Sequence, residues 1–219
     1  MFSVCRFDAA NDELRLAWRG RAGGALRSLA AVEAELGKDG RRVRFAMNAG
    51  MYDEEGTPIG LYVEHGKELK TLNLNNGPGN FHLKPNGVFA ADARGRVSVT
   101  ASSRFTSRVR APKWATQSGP MLVIDGKIHP RFDANGQSQY IRNGVGVPDA
   151  STALFAISEE PVSFGRFARL FRDALGCANA LYFDGNVSSL WDPNSGRQDA
   201  TSDLGPMVVV LTKRATDQR

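Results

Sequence analysis

Asp184 closes the apolar run ALYFD (180–184) and is followed at once by GNVSS. A carboxylate at the end of a buried strand either caps a turn or faces a pocket, where burial tunes it for acid–base or nucleophilic work. Arg142 and Asn143 interrupt a second apolar run, YIRNGVGV (140–147), with no evident hairpin partner. A guanidinium there offers a bidentate fork for an anion. His82 and Lys84 share the stretch GNFHLKPNG (79–87) with Asn80 and Asn86, a density of hydrogen-bonding groups that a plain loop does not need. A lone histidine is more often a satisfied structural group, yet the polar neighbours of His82 give the functional reading equal weight.

Asp184, Arg142 and Asn143 sit in two of four segments that share one form, an apolar strand that runs into a polar loop containing glycine. FAMNAG (45–50), ATQSGP (115–120), YIRNGVGV and LYFDGNVSS (181–189) all follow it. Loops at strand ends carry sites on many folds. For any one segment the plainer reading is that Asn-Gly and Asp-Gly form turns. Ser118 and Ser188 lack the GxSxG context of a nucleophile elbow. There is no P-loop, NGVGVPD lacks the third glycine of a dinucleotide fingerprint, and no HExxH is present. The three histidines, His65, His82 and His129, are scattered, so no metal site and no cofactor is expected. DPNSGRQD (192–199) is rich in oxygen ligands but does not match an EF-hand loop; it reads first as a surface loop and second as a structural calcium site.

The elements that must position these groups are mostly strands. VCRFD and LRLAW flank the turn AAND, RVRFAM (42–47) alternates, and IGLYVEHGKELKTL and GVFAADARGRVSVT read as hairpins. MLVIDGKIHP carries Asp125-Gly126 at its tip, a type I′ signal. TALFAIS (152–158), ALYFD and GPMVVVLT (205–212) read as buried strands. A helix is expected over 24–37, with Leu26, Leu29, Ala30, Glu33 and Leu36 near helical spacing and Gly37 as its stop. The clearest helix starts after Ser163 as N-cap, shows Phe164, Phe167, Leu170, Phe171, Ala174 and Leu175 on one face, and ends at Gly176. Helices do not alternate regularly with strands. The fold class is therefore α+β, a mixed, largely antiparallel sheet with a few packed helices. No repeat or long linker divides the chain, so residues 1–219 are expected to form a single domain.

Composition agrees. With 42% hydrophobic residues in 219, the chain can bury a full core, and 23 glycines suit a β-rich protein with many turns. The net charge of +5 attracts anions in general. The densest basic runs, GRR (40–42) and SRFTSRVRAPK (103–113), read as solvated faces, and no nucleic-acid-binding signature accompanies them. No run is long enough to span a membrane as a helix. Cys5 and Cys177 either pair in an oxidising compartment or are two core thiols. The first residues read as a strand rather than a signal peptide, so either the protein is cytosolic or the numbering begins after a removed segment.

NAGMY (48–52), GNFHLKPNG, TQSGPML (116–122), RNGVGV and DGNVSS, in this order and at about these spacings, resemble the phosphodiester glycosidase family, and the region before them resembles its bacterial branch. The similarity runs from about residue 40 to 212. It implies an α+β domain whose motif loops meet in one cleft. Carried over by position, it implies functional places for Asn48 and Gly50, for Asn86 and Gly87, for Ser118 and Gly119, for Arg142, Asn143, Gly144 and Gly146, and for Asp184, Gly185 and Ser188. Asn186 stands where the family pattern has a second glycine, which narrows or re-polarises the pocket.

The chemistry implied is hydrolysis of the sugar C1–O bond of a sugar-1-phosphodiester. Ordinary glycosidases use two carboxylates. Here Asp184 is the obvious one and Asp149 a weaker second. A departing phosphate monoester, with a second pKa of about 6, leaves as an anion and needs charge stabilisation more than a proton. On this reading Arg142 grips the phosphate, helped by His82 or Lys84. Asp184 is base, nucleophile or oxocarbenium stabiliser, and Asn48, Asn86 and Ser188 hold sugar hydroxyls. The partner is a carbohydrate phosphodiester, with no nucleic acid and no membrane span. The resemblance implies a periplasmic or secreted location. Two rivals share the same residues: a binding module for an anionic glycan or wall polymer, and a phosphodiesterase that cuts P–O.

Overall fold

A computed structural model describes residues 1–106 and 111–214. Among these residues sixteen strands form three sheets, and every pairing among them is antiparallel. The first sheet has the order β1 (Phe2–Asp8), β12 (Thr152–Ser158), β11 (Asn143–Asp149), β13 (Asn179–Tyr182), β9 (Met121–Ile124), β10 (Lys127–Ile128). In the second the order is β15 (Arg197–Gln198), β14 (Leu190–Asp192), β3 (Val43–Asn48), β16 (Met207–Thr212), β2 (Asp12–Ala17). The third runs β5 (Lys67–Lys70), β4 (Tyr62–Glu64), β8 (Trp114–Ser118), β6 (Gly87–Ala91), β7 (Val97–Ala101). The expected single mixed sheet is thus three antiparallel ones.

Strand alternation explains how three sheets share one core. Phe155, Ile157 and Leu181 of the first sheet, Val208 and Val210 of the second, and Phe89 and Tyr62 of the third all face a common cluster. Their neighbours point outward, and each outer face is covered separately. Met207, Val209 and Leu211 pack with Leu29 and Val32 of α1 (Leu29–Leu36). Ala156, Ala180 and Tyr182 pack with Phe167 and Phe171 of the second helical segment. Central strands such as MVVVLT are buried on both faces, so they read as continuous apolar runs rather than alternating ones.

That second segment is α2 (Phe164–Arg169), which passes into a π-helical turn at Leu170–Ala174. Ser163 caps it by accepting from the Arg166 N–H at 3.1 Å, and Gly176 stops it at φ 64°. The first helix starts later than its periodicity suggests. Ser28 accepts from the Ala31 N–H, while Leu26 donates to Trp18 O at 2.9 Å, holding residues before 28 outside the helix. The type I′ tip is present, with Asp125 at φ 48° and Gly126 at φ 79°. β1 and β2 do not pair with each other across AAND; they enter different sheets. YIRNGVGV does have a hairpin partner, since β11 pairs with β12.

Cys5 and Cys177 are both free thiols, and burial pushes them up to about 11 and about 12. Arg42 of the GRR run is ion-paired with Glu13 and Asp39 rather than simply solvated. The 103–113 run lies partly outside the described residues. Among the described residues no helix is long and apolar enough to cross a membrane.

At Gly144, β11 lies tight against β13. A Cβ there would stand 2.5 Å from the Leu181 carbonyl oxygen, a backbone atom that cannot retreat without opening the ladder. Gly144→Ala should lower stability in urea by about 1–3 kcal/mol. Gly24→Ala, with open space around its Cβ, should stay within about 0.5 kcal/mol of the wild type.

Candidate active site

Strand ends from all three sheets gather at one end of the molecule. Asn48 ends β3 and Asn143 begins β11, and both are fully buried. Asn143 Nδ2 donates to Asn48 O at 2.9 Å and to Asn48 Oδ1 at 2.8 Å. Asn48 Nδ2 in turn donates to Asp184 O at 2.8 Å, and Asn48 Oδ1 also accepts from the Ser189 N–H at 2.9 Å. Ser188 Oγ lies 3.2–3.3 Å from Ile141 O, Gly185 O and Asn143 Oδ1. The backbone adds Asp184 N to Ala49 O and Phe183 N to Asn143 O. The first, fourth and fifth motif segments are therefore one bonded unit.

The other two join by close backbone approach. A Cβ on Gly50 would meet Thr116 Oγ1 at 2.3 Å and Gln117 O at 2.5 Å, and one on Gly119 would meet Asn86 Cβ at 2.6 Å. These glycines let the segments touch. Asn86 Nδ2 donates to Phe81 O at 2.9 Å and shapes its own loop. Ser118 is fully buried with no partner for its hydroxyl. Gln117, which the sequence reading passed over, is the hub beneath it. Its amide bonds Leu61 N, Asn73 N, Asn73 O and Ser102 Oγ.

Asp184 is half-buried, makes no ion pair among the described residues, and accepts from the Asn186 N–H at 3.2 Å. Burial pushes its carboxyl above the ordinary carboxylate range, against that one hydrogen bond. Tyr52, which ends the NAGMY motif, stands within the field of this carboxylate. Burial and then the Asp184 charge push the Tyr52 hydroxyl up to about 12, and it donates to Asp203 O at 2.5 Å.

Other expected residues are differently employed. Arg142 is 1% exposed, with Nε on Val162 O at 2.8 Å and one terminal nitrogen on Ser138 O at 2.9 Å. The fork expected to grip a phosphate is committed to the protein. Asn48 and Asn86 likewise use their amides internally rather than offering them to sugar hydroxyls. His82 Nδ1 donates to Asn75 O at 3.0 Å and Lys84 Nζ to Leu74 O at 2.6 Å, so both face the 73–75 segment. Asp149 ends β11 opposite to Asn143, roughly 20 Å along the strand, and accepts from Ser151. It is not part of this site. In 192–199 the Asp199 carboxylate is taken by Arg197 and the Leu190 N–H. Among the described residues no three His, Cys, Asp or Glu come together as metal ligands.

The model of the phosphodiester glycosidase family matches residues 41–210. The chain belongs to that family. It is 37% identical over 180 residues to the uncharacterized protein YigE of Escherichia coli K12, covering 82% of this chain and 70% of that protein. Among solved structures it is similar to the catalytic domain of zebrafish N-acetylglucosamine-1-phosphodiester alpha-N-acetylglucosaminidase, auto-inhibited by its pro-peptide. The TM-score is 0.64 at 15% identity, over 98% of this chain and 83% of that one. A Burkholderia pseudomallei protein named for its presumed export gives 0.59 at 12% identity, over 96% and 73%. At these identities the structural likeness concerns the fold.

The raised Asp184 carboxyl has a stability consequence with a definite sign. The unfolded chain titrates it at the ordinary value and the folded chain above it. Ionised Asp184 therefore opposes folding at neutral pH, and the cost vanishes below the ordinary carboxylate range. Asp184→Asn, which still accepts from Asn186, should raise Tm at pH 7, and the gain should disappear on acidification. A Tm that falls at pH 7 would contradict the burial of that charge.

Proposed function

We propose that the chain is a hydrolase that cleaves the sugar C1–O bond of a sugar-1-phosphodiester, releasing free sugar and a phosphate monoester. The observation that carries this is Asp184. In a chain of this family, one carboxyl without an ion pair sits half-buried where the bonded motif segments meet. Water supplies the oxygen that ends on C1, and the C1–O electrons leave with the phosphate. That leaving group is already anionic and needs no acid. One carboxylate is then enough: ionised Asp184 stabilises the developing oxocarbenium charge or activates the incoming nucleophile.

Lys84 is the cation on the phosphate side in this reading and His82 a hydrogen-bond donor beside it, both released from the carbonyls of residues 74 and 75 as substrate arrives. The close-packed glycines at 50, 119 and 185 hold the motif segments against one another around Asp184. The whole chain acts as one domain of this kind. Its place is the periplasm or the exterior, in keeping with the Burkholderia neighbour's presumed export.

The decisive assay offers a panel of sugar-1-phosphodiesters in 18O water. Label should enter the sugar. Label in the phosphate would mean P–O cleavage instead, and binding without turnover would mean a carbohydrate-binding module. Asp184→Asn should lower kcat by about two to four orders of magnitude. Because Asp184 acts ionised and burial raises it, kcat/KM should climb along an acid limb centred above the ordinary carboxylate value. Activity that falls along that limb would assign Asp184 as an acid.

A further inference from the structure

Arg142 is a buried cation with no carboxylate against it among the described residues. Gly144 pairs with Tyr182 at the end of the β11–β13 ladder. Continuing that register by two residues sets Arg142 across from Asp184, the natural place for an ion pair. The side chain turns away instead. Its guanidinium carbon lies 3.6 Å above the Phe164 ring and 5.4 Å from the Tyr182 ring centre. Ser138 O, Ser138 Oγ and Val162 O take its donors on one side.

The Tyr182 hydroxyl lies close to both the guanidinium and the Gly185 backbone and interacts with each. Gly185 follows Asp184 directly. A Cβ on Gly185 would stand 1.8 Å from Tyr182 Oη, so the 184–185 turn rests on that hydroxyl. The support is rigid from below. Phe164 meets the Tyr182 ring edge-on at 4.8 Å and stacks on Phe132 at 4.7 Å; Phe132 stacks on His129 at 4.6 Å.

We propose that Arg142 is a positioning residue: it fixes the Tyr182 hydroxyl beneath Gly185 and thereby sets the aim of the Asp184 carboxyl, without touching the leaving phosphate. The diversion also leaves Asp184 without a cation that would quench it. The proposal rests on Asp184 acting in the reaction described above.

Tyr182→Phe keeps the ring and deletes the hydroxyl. It should lower kcat about tenfold to a hundredfold with KM changed by less than about threefold. The loss should be equal on a sugar-1-phosphodiester and on an aryl glycoside of the same sugar. Arg142→Lys should behave alike, and the double variant should be no worse than the poorer single one, since both break one chain of contacts. Amide hydrogen exchange at Gly185 should quicken at least about tenfold in either variant, while β12 amides stay protected. Wild-type kcat in Tyr182→Phe overturns the proposal, whatever the exchange shows. So does an Arg142→Lys loss confined to the phosphodiester with Gly185 exchange unchanged, which is the signature of a direct grip. If the wild type cleaves no sugar-1-phosphodiester, the functional reading fails by itself. Gly185 exchange then decides alone whether Arg142 holds the turn.

Discussion

The reciprocal amide pair of Asn48 and Asn143 is the constraint on which this end of the molecule depends. β3 and β11 belong to different sheets, and no ladder joins them. Two side-chain amides, fully buried, replace the missing ladder and satisfy most of their capacity on each other, on Asp184 O and on Ser189 N. A buried amide left unpaired costs about 1–3 kcal/mol, so the network is held together from both sides. Its outcome is positional. The backbone on either side of Asp184 is tied to residue 48, residue 49 and residue 143 before the carboxyl makes any contact of its own.

That scaffold explains how a carboxyl can be held in an unfavourable place. Asp184 is desolvated, has no cation partner among the described residues, and receives a single backbone N–H. An isolated side chain would escape such a position by rotating into water. Here the turn beneath it is closed by Gly185 against Tyr182, while its carbonyl is bonded from Asn48. Stability is given up at one residue and recovered in the amide network, the trade expected where a site must be kept reactive. Arg142 illustrates the same economy of charge. Placed to neutralise Asp184, it is drawn off by carbonyls and an aromatic face, interactions that hold a guanidinium without a counter-ion.

The sequence made the strands, the type I′ tip and the cap of α2 legible, because each rests on local chemistry. Ser163, Asp125-Gly126 and the apolar run of β16 act through neighbours within a few residues. What it hid was direction. Arg142 in an apolar run was a visible signal, but no pattern tells whether a guanidinium faces a ligand or the underside of a turn. That depends on Ser138, Val162 and Phe164, brought near only by the tertiary fold. The same holds for Asn48 and Asn86, whose amide chemistry suits sugar hydroxyls and backbone carbonyls equally. Asp149 failed for a geometric reason: it shares a strand with Asn143, and a strand separates its two ends. Tyr182 had a visible signal, an aromatic residue two before the key acid and so on the same face of the strand. It was read only as core.

The three-sheet arrangement also bears on why the site lies where it does. Among the described cavities, one of about 440 Å3 lies at the far end, lined by Asp12, Asp92, Lys113 and Lys213. Three of these four charged groups are occupied at home: Asp12 receives Arg44 and the Asp8 N–H, Asp92 receives Arg96, and Lys213 donates to Ala9 O. Space is present there, but both lining carboxylates named already have cation partners. At the motif end the balance is reversed. Segments pack so closely that glycine is required at 50, 119 and 185, yet Ser118 keeps an unpartnered hydroxyl and Asp184 an uncompensated charge. Volume and unsatisfied chemistry thus point to opposite ends of the molecule, and groups that a fold buries without satisfying are the ones a ligand can complete.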